Sequence, residues 1–510
     1  TNSFQGVTNF KMNFKQTLKR FGEAVICFTV VWMKEKQKYL YICPHRIRGC
    51  PLGFFFLFPV QMKKFLLFSI VGIIVFPAIT MAQADSSEMP FKEKKKTGWT
   101  WAALPVVAYD ADMGLQLGAL GQVFYYGNGS TWPEYRHTIY AECSWFTKGS
   151  AVYQLFYDSK YLIPGKIRIT ADLDYLTERA LDFYGFNGYE SNYIPSVAQQ
   201  GTDDYISRVF YKHERKMLRA MADFQGPLWG QKLRWLAGIN VIDIRTATVN
   251  IDKINKGKKD ENKLPDTTLL YDQYIKYGLI GPEEKNGGTT VYLKLGIVFD
   301  TRDNEAAPEK GFWSEIMLLA APTFLGNNPY AFVKLAVTHR QFIPIVKRRL
   351  VAAYQLSYQG KIGGSTPFYI LPYIYSSYSL TTKPDGLGGA KTLRGILRNR
   401  ITGDGVAFGN IELRWTFLNA VVWKQNLSLG ITGFLDGGMV VQDHPVPMNL
   451  VPVNQQPFYF NSAADRLHLS TGLGLRAAIN HNFIISVDYG FALDRQDGTS
   501  GLYLGIGNIF

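Results

Sequence analysis

The sequence predicts an all-β chain, a 16-stranded antiparallel transmembrane β-barrel with a long loop folded into its lumen. Three observations carry that expectation. An export-signal pattern is followed by no apolar run long enough for a spanning helix. Apolar and polar residues then alternate in segments of ten or more residues, and the intervals between segments are alternately long and short.

The export pattern comes first in the chain. Lys63 and Lys64, an apolar run from Phe65 to Ala82 broken at Pro77, and the small-x-small ending Ala82-Gln83-Ala84 predict a cleaved signal peptide over residues 62–84. Residues 1–61 would precede the true start at Met62 and are read as non-native upstream translation. A small N-terminal domain there would have to stand in front of an export signal. Cys27, Cys43 and Cys50 all precede Met62, which leaves Cys143 alone in the exported part and allows no intramolecular disulfide there.

Charge divides at the same place. Residues 1–84 carry a net +9 of the chain's +14, so the exported part is only mildly basic and its charge is no nucleic-acid signature. Residues 85–98 are a short polar periplasmic segment rich in lysine (Lys92, Lys94, Lys95, Lys96), shorter than the ~50 residues a domain requires. Trp99 to Asp110 reads as a lead-in strand or plug-like segment of the barrel region, residues 99–510.

The alternation is clearest at 166–175, where Ile167, Ile169, Ala171, Leu173 and Tyr175 oppose Lys166, Arg168, Thr170, Asp172 and Asp174. Runs of this length exceed an ordinary soluble strand and match the ~9–11 residues that cross a bilayer at a tilt. Eleven such segments lie between 113 and 362, with 204–217 and 219–228 taken separately, and five lie between 406 and 510. If the first runs outward, the long intervals 249–287, 363–405 and 442–466 fall outside and the short ones at 148–149, 229–231, 344–346 and 480–481 face the periplasm. The interval 179–203 breaks this rule, being long yet periplasmic. The last segment, 501–510, ends in Phe510, an aromatic terminus that would serve as the C-terminal insertion signal read by the barrel assembly machinery.

Phase then singles out charged residues. Ile411, Leu413, Trp415 and Phe417 face lipid, so Asn410, Glu412 and Arg414 face the lumen; the same logic turns Asp436 inward. The interval 363–405 is long enough to fold into the barrel and bring a cation to these acids. Arg394 suits the role because a guanidinium fork satisfies two carboxylates and stays charged. The alternative is that these are ordinary solvated lumen charges, with Arg398, Arg400 and Arg414 as competing cations.

Leu393-Arg394-Gly395-Ile396 resembles the (V/I)RG(F/Y) signature of the Omp85 superfamily, the BamA/TamA-like barrels of the bacterial surface antigen type. The pair Gly388-Gly389, Glu412 within Ile411-Glu412-Leu413-Arg414, and Phe434-Leu435-Asp436-Gly437 resemble accompanying elements. Asp300, Arg302, Asp303 and Gly311 resemble the family's strand-turn-strand element. The resemblance implies that Arg394 docks in the barrel against Glu412 and Asp436. It also implies a bacterial outer-membrane location and a role in inserting or translocating proteins or lipids. Leu393 and Ile396 depart from the usual first and fourth residues, and the stretch before the barrel is too short for POTRA modules. The chain therefore resembles the POTRA-less branch and would work with a separate periplasmic partner.

Enzyme signatures are thin. The exported part has no His-Glu-x-x-His and no Gly-x-Ser-x-Gly, and its histidines (His137, His213, His339, His444, His468, His481) show no metal spacing. No cofactor is expected. A gated passive pore and a barrel-borne lipid hydrolase stand as the other functions to weigh.

Overall fold

A computed structural model describes residues 94–110, 114–163, 167–377 and 385–510. The expectations for the upstream residues, the signal peptide and the polar segment before Lys94 lie outside the described residues. In chain order the strands are β1 (Trp99–Asp110), β2 (Gly114–Tyr125), β3 (His137–Phe146), β4 (Ala151–Ile163), β5 (Ile167–Asp182), β6 (Lys212–Trp229), β7 (Leu233–Ala247) and β8 (Gly287–Asp300). They continue as β9 (Gly311–Ala321), β10 (Phe332–Val346), β11 (Leu350–Gly364), β12 (Gly405–Val422), β13 (Gln425–Gln442), β14 (His468–Ile479), β15 (Phe483–Ala492) and β16 (Ser500–Ile506). All sixteen join one antiparallel sheet in sequence order, the meander expected of an outer-membrane-type barrel.

The count agrees with expectation, but three segments are reassigned. Of the two readings of residues 99–110, the strand holds and the plug does not, and it is a full member of the sheet: β1 pairs with β2 from Trp99↔Tyr125 to Asp110↔Gly114. Pro105 obscured this, since proline cannot donate to a ladder and is confined to edges, which is where β1 lies. Conversely, the two expected segments 204–217 and 219–228 are one strand, β6, eighteen residues long. Lys212, Glu214, Arg215 and Lys216 put charge on both faces of its first turns, and that hid the period of two.

Together these changes remove the anomaly at 179–203. With β1 counted first, the interval 183–211 follows β5 and shares a rim with the long intervals after β7, β11 and β13. Turns as short as 230–232, 347–349 and 423–424 occupy the opposite rim, while the turn at 148–149, expected with them, follows β3 and falls with the long intervals. The third change is at the end, where the expected strand 501–510 stops at Ile506. Gly507 takes φ +83°, a left-handed conformation suited to glycine, and Phe510 is buried.

Face alternation follows the sequence phase. Ile411, Leu413, Trp415 and Phe417 are exposed on the outer face, while Asn410 and Glu412 are buried on the inner one. The interior is filled. Under the long-loop rim, Phe183 and Phe186 pack with Tyr271, Tyr274 and Phe368 in one aromatic cluster.

β1 and β16 are the ends of the sheet, and among the described residues no ladder joins them. Side chains meet instead: Ala102, Leu104, Leu120 and Phe124 cluster with Ile479, Phe483, Ile485 and Ile506. The phase that aims Asp488 inward aims Ile485 and its pair Ile506 outward. At this rim the inner face of β1 and β2 therefore covers the outer face of β14 to β16.

Candidate functional site

The loop after β11 carries the motif, and its backbone is shaped by glycine. Leu387 bridges to Ile401, closing a small hairpin, and the Gly389 N–H donates to the Ile396 carbonyl at 3.0 Å. A Cβ on Gly388 (φ +119°) would fall 2.0 Å from the Leu397 carbonyl oxygen, so the hairpin closes only around glycine. Thr392 Oγ1 accepts from the Gly388 N–H at 2.9 Å and donates to its carbonyl at 3.0 Å. Leu393 and Ile396 anchor the tip apolarly, packed with Leu387, Ile401, Val406, Phe408 and Val440.

The tip lies directly on a strand. A Cβ on Gly490 of β15 would sit 2.6 Å from the Arg394 carbonyl carbon, and one on Gly395 (φ +98°) would sit 2.6 Å from the Phe491 nitrogen. Two facing glycines make this backbone-to-backbone approach possible.

This contact delivers a fully buried Arg394 to the inner wall. Nε and Nη2 donate to the two Asp436 carboxylate oxygens at 2.9 Å each. The Arg394 main-chain N–H adds a third bond to Asp436 at 3.0 Å. Nη1 lies 2.7 Å from Glu412 Oε1 and 3.5 Å from Asp488 Oδ1. The guanidinium stacks 3.5 Å above the Phe434 ring, a cation–π contact strengthened by desolvation.

Charge balances one step further out. Glu412 gives its other oxygen to Arg414 at 2.7 Å, and Asp488 pairs with Arg476 at 2.8 Å. Three carboxylates thus face three guanidiniums, which is what makes burial of so many charges tolerable. Asn410 donates to the Thr392 carbonyl at 2.7 Å, and the Tyr503 hydroxyl accepts from the Gly395 N–H at 3.0 Å. One loop tip therefore ties together β12, β13, β15 and β16.

Both expected acids, Glu412 and Asp436, meet Arg394. Asp488 and Tyr503 were not singled out from the sequence, and Asn410 and Phe434, read there as a lumen residue and as part of the Phe434-Leu435-Asp436-Gly437 element, were given no contact to the loop. Asp488 sits in phase with Ser486 and Gly490, and Phe434 is two residues before Asp436 on the same face. The competing cations do other work. Arg398 pairs with Glu178 and Asp385. Arg400 donates to the carbonyls of Gly188 at 2.8 Å and Gln496 at 2.9 Å, tying three long-rim loops together.

The strand-turn element stands apart from Arg394. Arg302 forks onto Asp300 at 3.0 and 2.9 Å, and Asp303 Oδ1 accepts from the N–H groups of Glu309 and Lys310 at 3.0 and 3.2 Å. Gly311 (φ +96°) packs its α-carbon against Thr301. A polar relay links the two regions: Arg476 donates to Asn508, and Asn508 donates to the Ala306 carbonyl, each at 3.2 Å. Phe510 lies among Phe342, Val351 and Ala353, and its main-chain oxygen accepts from Arg414 at 3.0 Å. No group of His, Cys, Asp and Glu among the described residues is arranged to hold a metal ion.

Residues 243–510, which include Asp300, Arg394, Glu412, Asp436 and Phe510, match the model of the Omp85 superfamily domain. The chain belongs to the Omp85 superfamily. Membership supports an outer-membrane barrel of the insertion or secretion kind. A search of curated protein sequences finds no match to this chain. Among solved structures, BamA from Haemophilus ducreyi lacking POTRA domains 1-3 is 14% identical, with 86% of this chain and 77% of that chain covered and a TM-score of 0.43. CdiB from Escherichia coli is 10% identical, with 82% of this chain and 63% of that chain covered and a TM-score of 0.48.

Proposed function

We propose that this Omp85 barrel, exported by a signal over residues 62–84, assists insertion or translocation of proteins or lipids at the outer membrane. The working element is the seam between β1 and β16, and a separate periplasmic partner delivers the substrate. The observation that carries this reading is the missing ladder between those strands, whose contact is apolar side-chain packing. Every other neighbouring pair is held by backbone hydrogen bonds, so this junction opens at the least cost. Arg394 supports the same reading, since it braces β12 to β16 as one body on one side of the seam.

Depleting the protein and comparing outer-membrane proteome and lipid content tests the proposal. A loss of specific barrels or a change in lipid content is expected; no change in either would refute it. A gated passive pore is the second reading, favoured by the polar inner wall. The loop seated on that wall opposes a resting conductance. Planar-bilayer recording should therefore find the wild-type barrel closed, and a steady open channel would favour the pore.

A further inference from the structure

Three turns of the short-turn rim are basic with no acid of their own, whereas 301–310 on the same rim sets Arg302 and Lys310 against Asp303, Glu305 and Glu309. Turns 230–232, 347–349 and 423–424 hold five Lys and Arg and no Asp or Glu. The long-rim loop 248–286 holds seven Lys against seven Asp and Glu. In the lumen Arg394, Arg414 and Arg476 all have carboxylate partners.

A second set of lysines lies beside the seam. The segment leading into β1 lies along the β12–β13 turn: the Lys94 N–H donates to Asn426 Oδ1 at 2.8 Å, and Asn426 Nδ2 donates back to the Lys94 carbonyl at 3.0 Å. Lys96 Nζ donates to the Lys424 carbonyl at 2.6 Å and to Gln425 Oε1 at 2.7 Å. Backbone geometry thus gathers Lys94, Lys95, Lys96 and Lys424, and among the described residues none of them has a carboxylate partner. Burial, and then the charge of Lys94, push the Lys96 pKa down.

Aromatic residues mark the level of this cluster. Trp423, 87% exposed, adjoins Lys424, and Trp101, 77% exposed, points outward from β1 with Trp99 beside it. Indole rings prefer the boundary between hydrocarbon and headgroups, and lysines reach from that boundary to phosphates.

We propose that Lys94, Lys95 and Lys424, flanked by Trp99, Trp101 and Trp423, form a docking surface for anionic phospholipid headgroups at the short-turn rim beside the seam. The occupant is lipid because the cluster continues directly into the lipid-facing side of β1. Lys96 is the strap's own anchor, and the other three supply free charge to phosphate. Bound headgroups would hold the strap, and with it the β1 edge, at the membrane surface.

The test uses the full chain reconstituted in vesicles of phosphatidylcholine with or without phosphatidylglycerol. Lipid carried through extraction is measured by native mass spectrometry on the heat-modifiable, folded fraction. Each lysine near an anionic surface contributes about fivefold in affinity, so the wild type should enrich phosphatidylglycerol at least about tenfold. Salt of ~0.5 M should abolish the enrichment. K94Q/K95Q/K424Q should lose it, while K256Q/K259Q/K263Q on the opposite rim should keep it. No enrichment by the wild type, or equal enrichment by the first variant, overturns the proposal. So does a variant that loses a co-purifying acidic protein yet keeps its lipid. Should the triple variant fail to fold, Lys95→Gln alone and the salt dependence of the wild type decide.

Discussion

Arg394 holds Asp436 three times over, through both arms of its guanidinium fork at 2.9 Å and through its own main-chain N–H at 3.0 Å. Side chain and backbone of one residue converge on one carboxylate, so the loop cannot turn its tip without losing all three bonds together. This makes the contact a position lock for the backbone as well as an ion pair.

Replacing Arg394 with alanine should strip three buried acids of their common cation. Breaking a buried pair by removing one partner costs ~3–5 kcal/mol, and R394A should lose stability in that range. Arg394→Lys should recover only part, because an ammonium cannot fork across Asp436. Thermal unfolding in detergent, followed by heat-modifiable gel migration, reads both.

The three acids should rank by geometry. D436N loses three hydrogen bonds to Arg394, E412Q weakens one 2.7 Å contact to Arg394 and another to Arg414, and D488N weakens the 2.8 Å pair with Arg476 and a 3.5 Å contact to Arg394. The expected order of destabilisation is D436N, then E412Q, then D488N, which keeps Asp436 and Glu412 on Arg394. Unfolding midpoints of the three single variants check the order.

Gly490→Ala places a methyl 2.6 Å from the Arg394 carbonyl carbon. Backbone cannot yield as a side-chain tip can, so the loop should lift from β15 while the strands persist. Limited proteolysis should then cut within 385–401 in the variant and not in the wild type, with the β-sheet circular dichroism unchanged.

Glu305 gives the turn after β8 a pH dependence. Burial pushes its carboxyl up, but Arg168, Lys160 and Arg302 outweigh this and hold it well below the usual carboxylate range. A depressed folded pKa contributes stability that is full above the unfolded value of about 4.3 and is lost as pH falls through the folded one. Wild-type stability should therefore decline below about pH 4.3 more steeply than that of E305Q. Denaturant unfolding at pH 3 and pH 7 measures the difference.

Much of this was legible one residue at a time. A period of two reports which face a side chain takes, so Ile411 against Glu412, and Leu435 against Asp436, could be sorted without a structure. The same phase pointed Asp488 inward, and it was overlooked only because its neighbours Ser486 and Gly490 made the polar face look empty. Pro105 left β1 readable as strand or plug, and the doubly charged start of β6 hid its continuity, two places where local composition overrides the period.

The sequence by itself determined the two faces and the inward aim of the acids, because each follows from neighbours within a few residues, whereas its count of sixteen held only because leaving out β1 and dividing β6 offset each other. Tertiary structure decided which of four arginines docks on those acids, how the tail after Gly507 turns in to meet Arg414, and how the sheet ends overlap instead of pairing. Those outcomes depend on sheet curvature and on contacts between residues far apart in the chain. No period in the sequence encodes them.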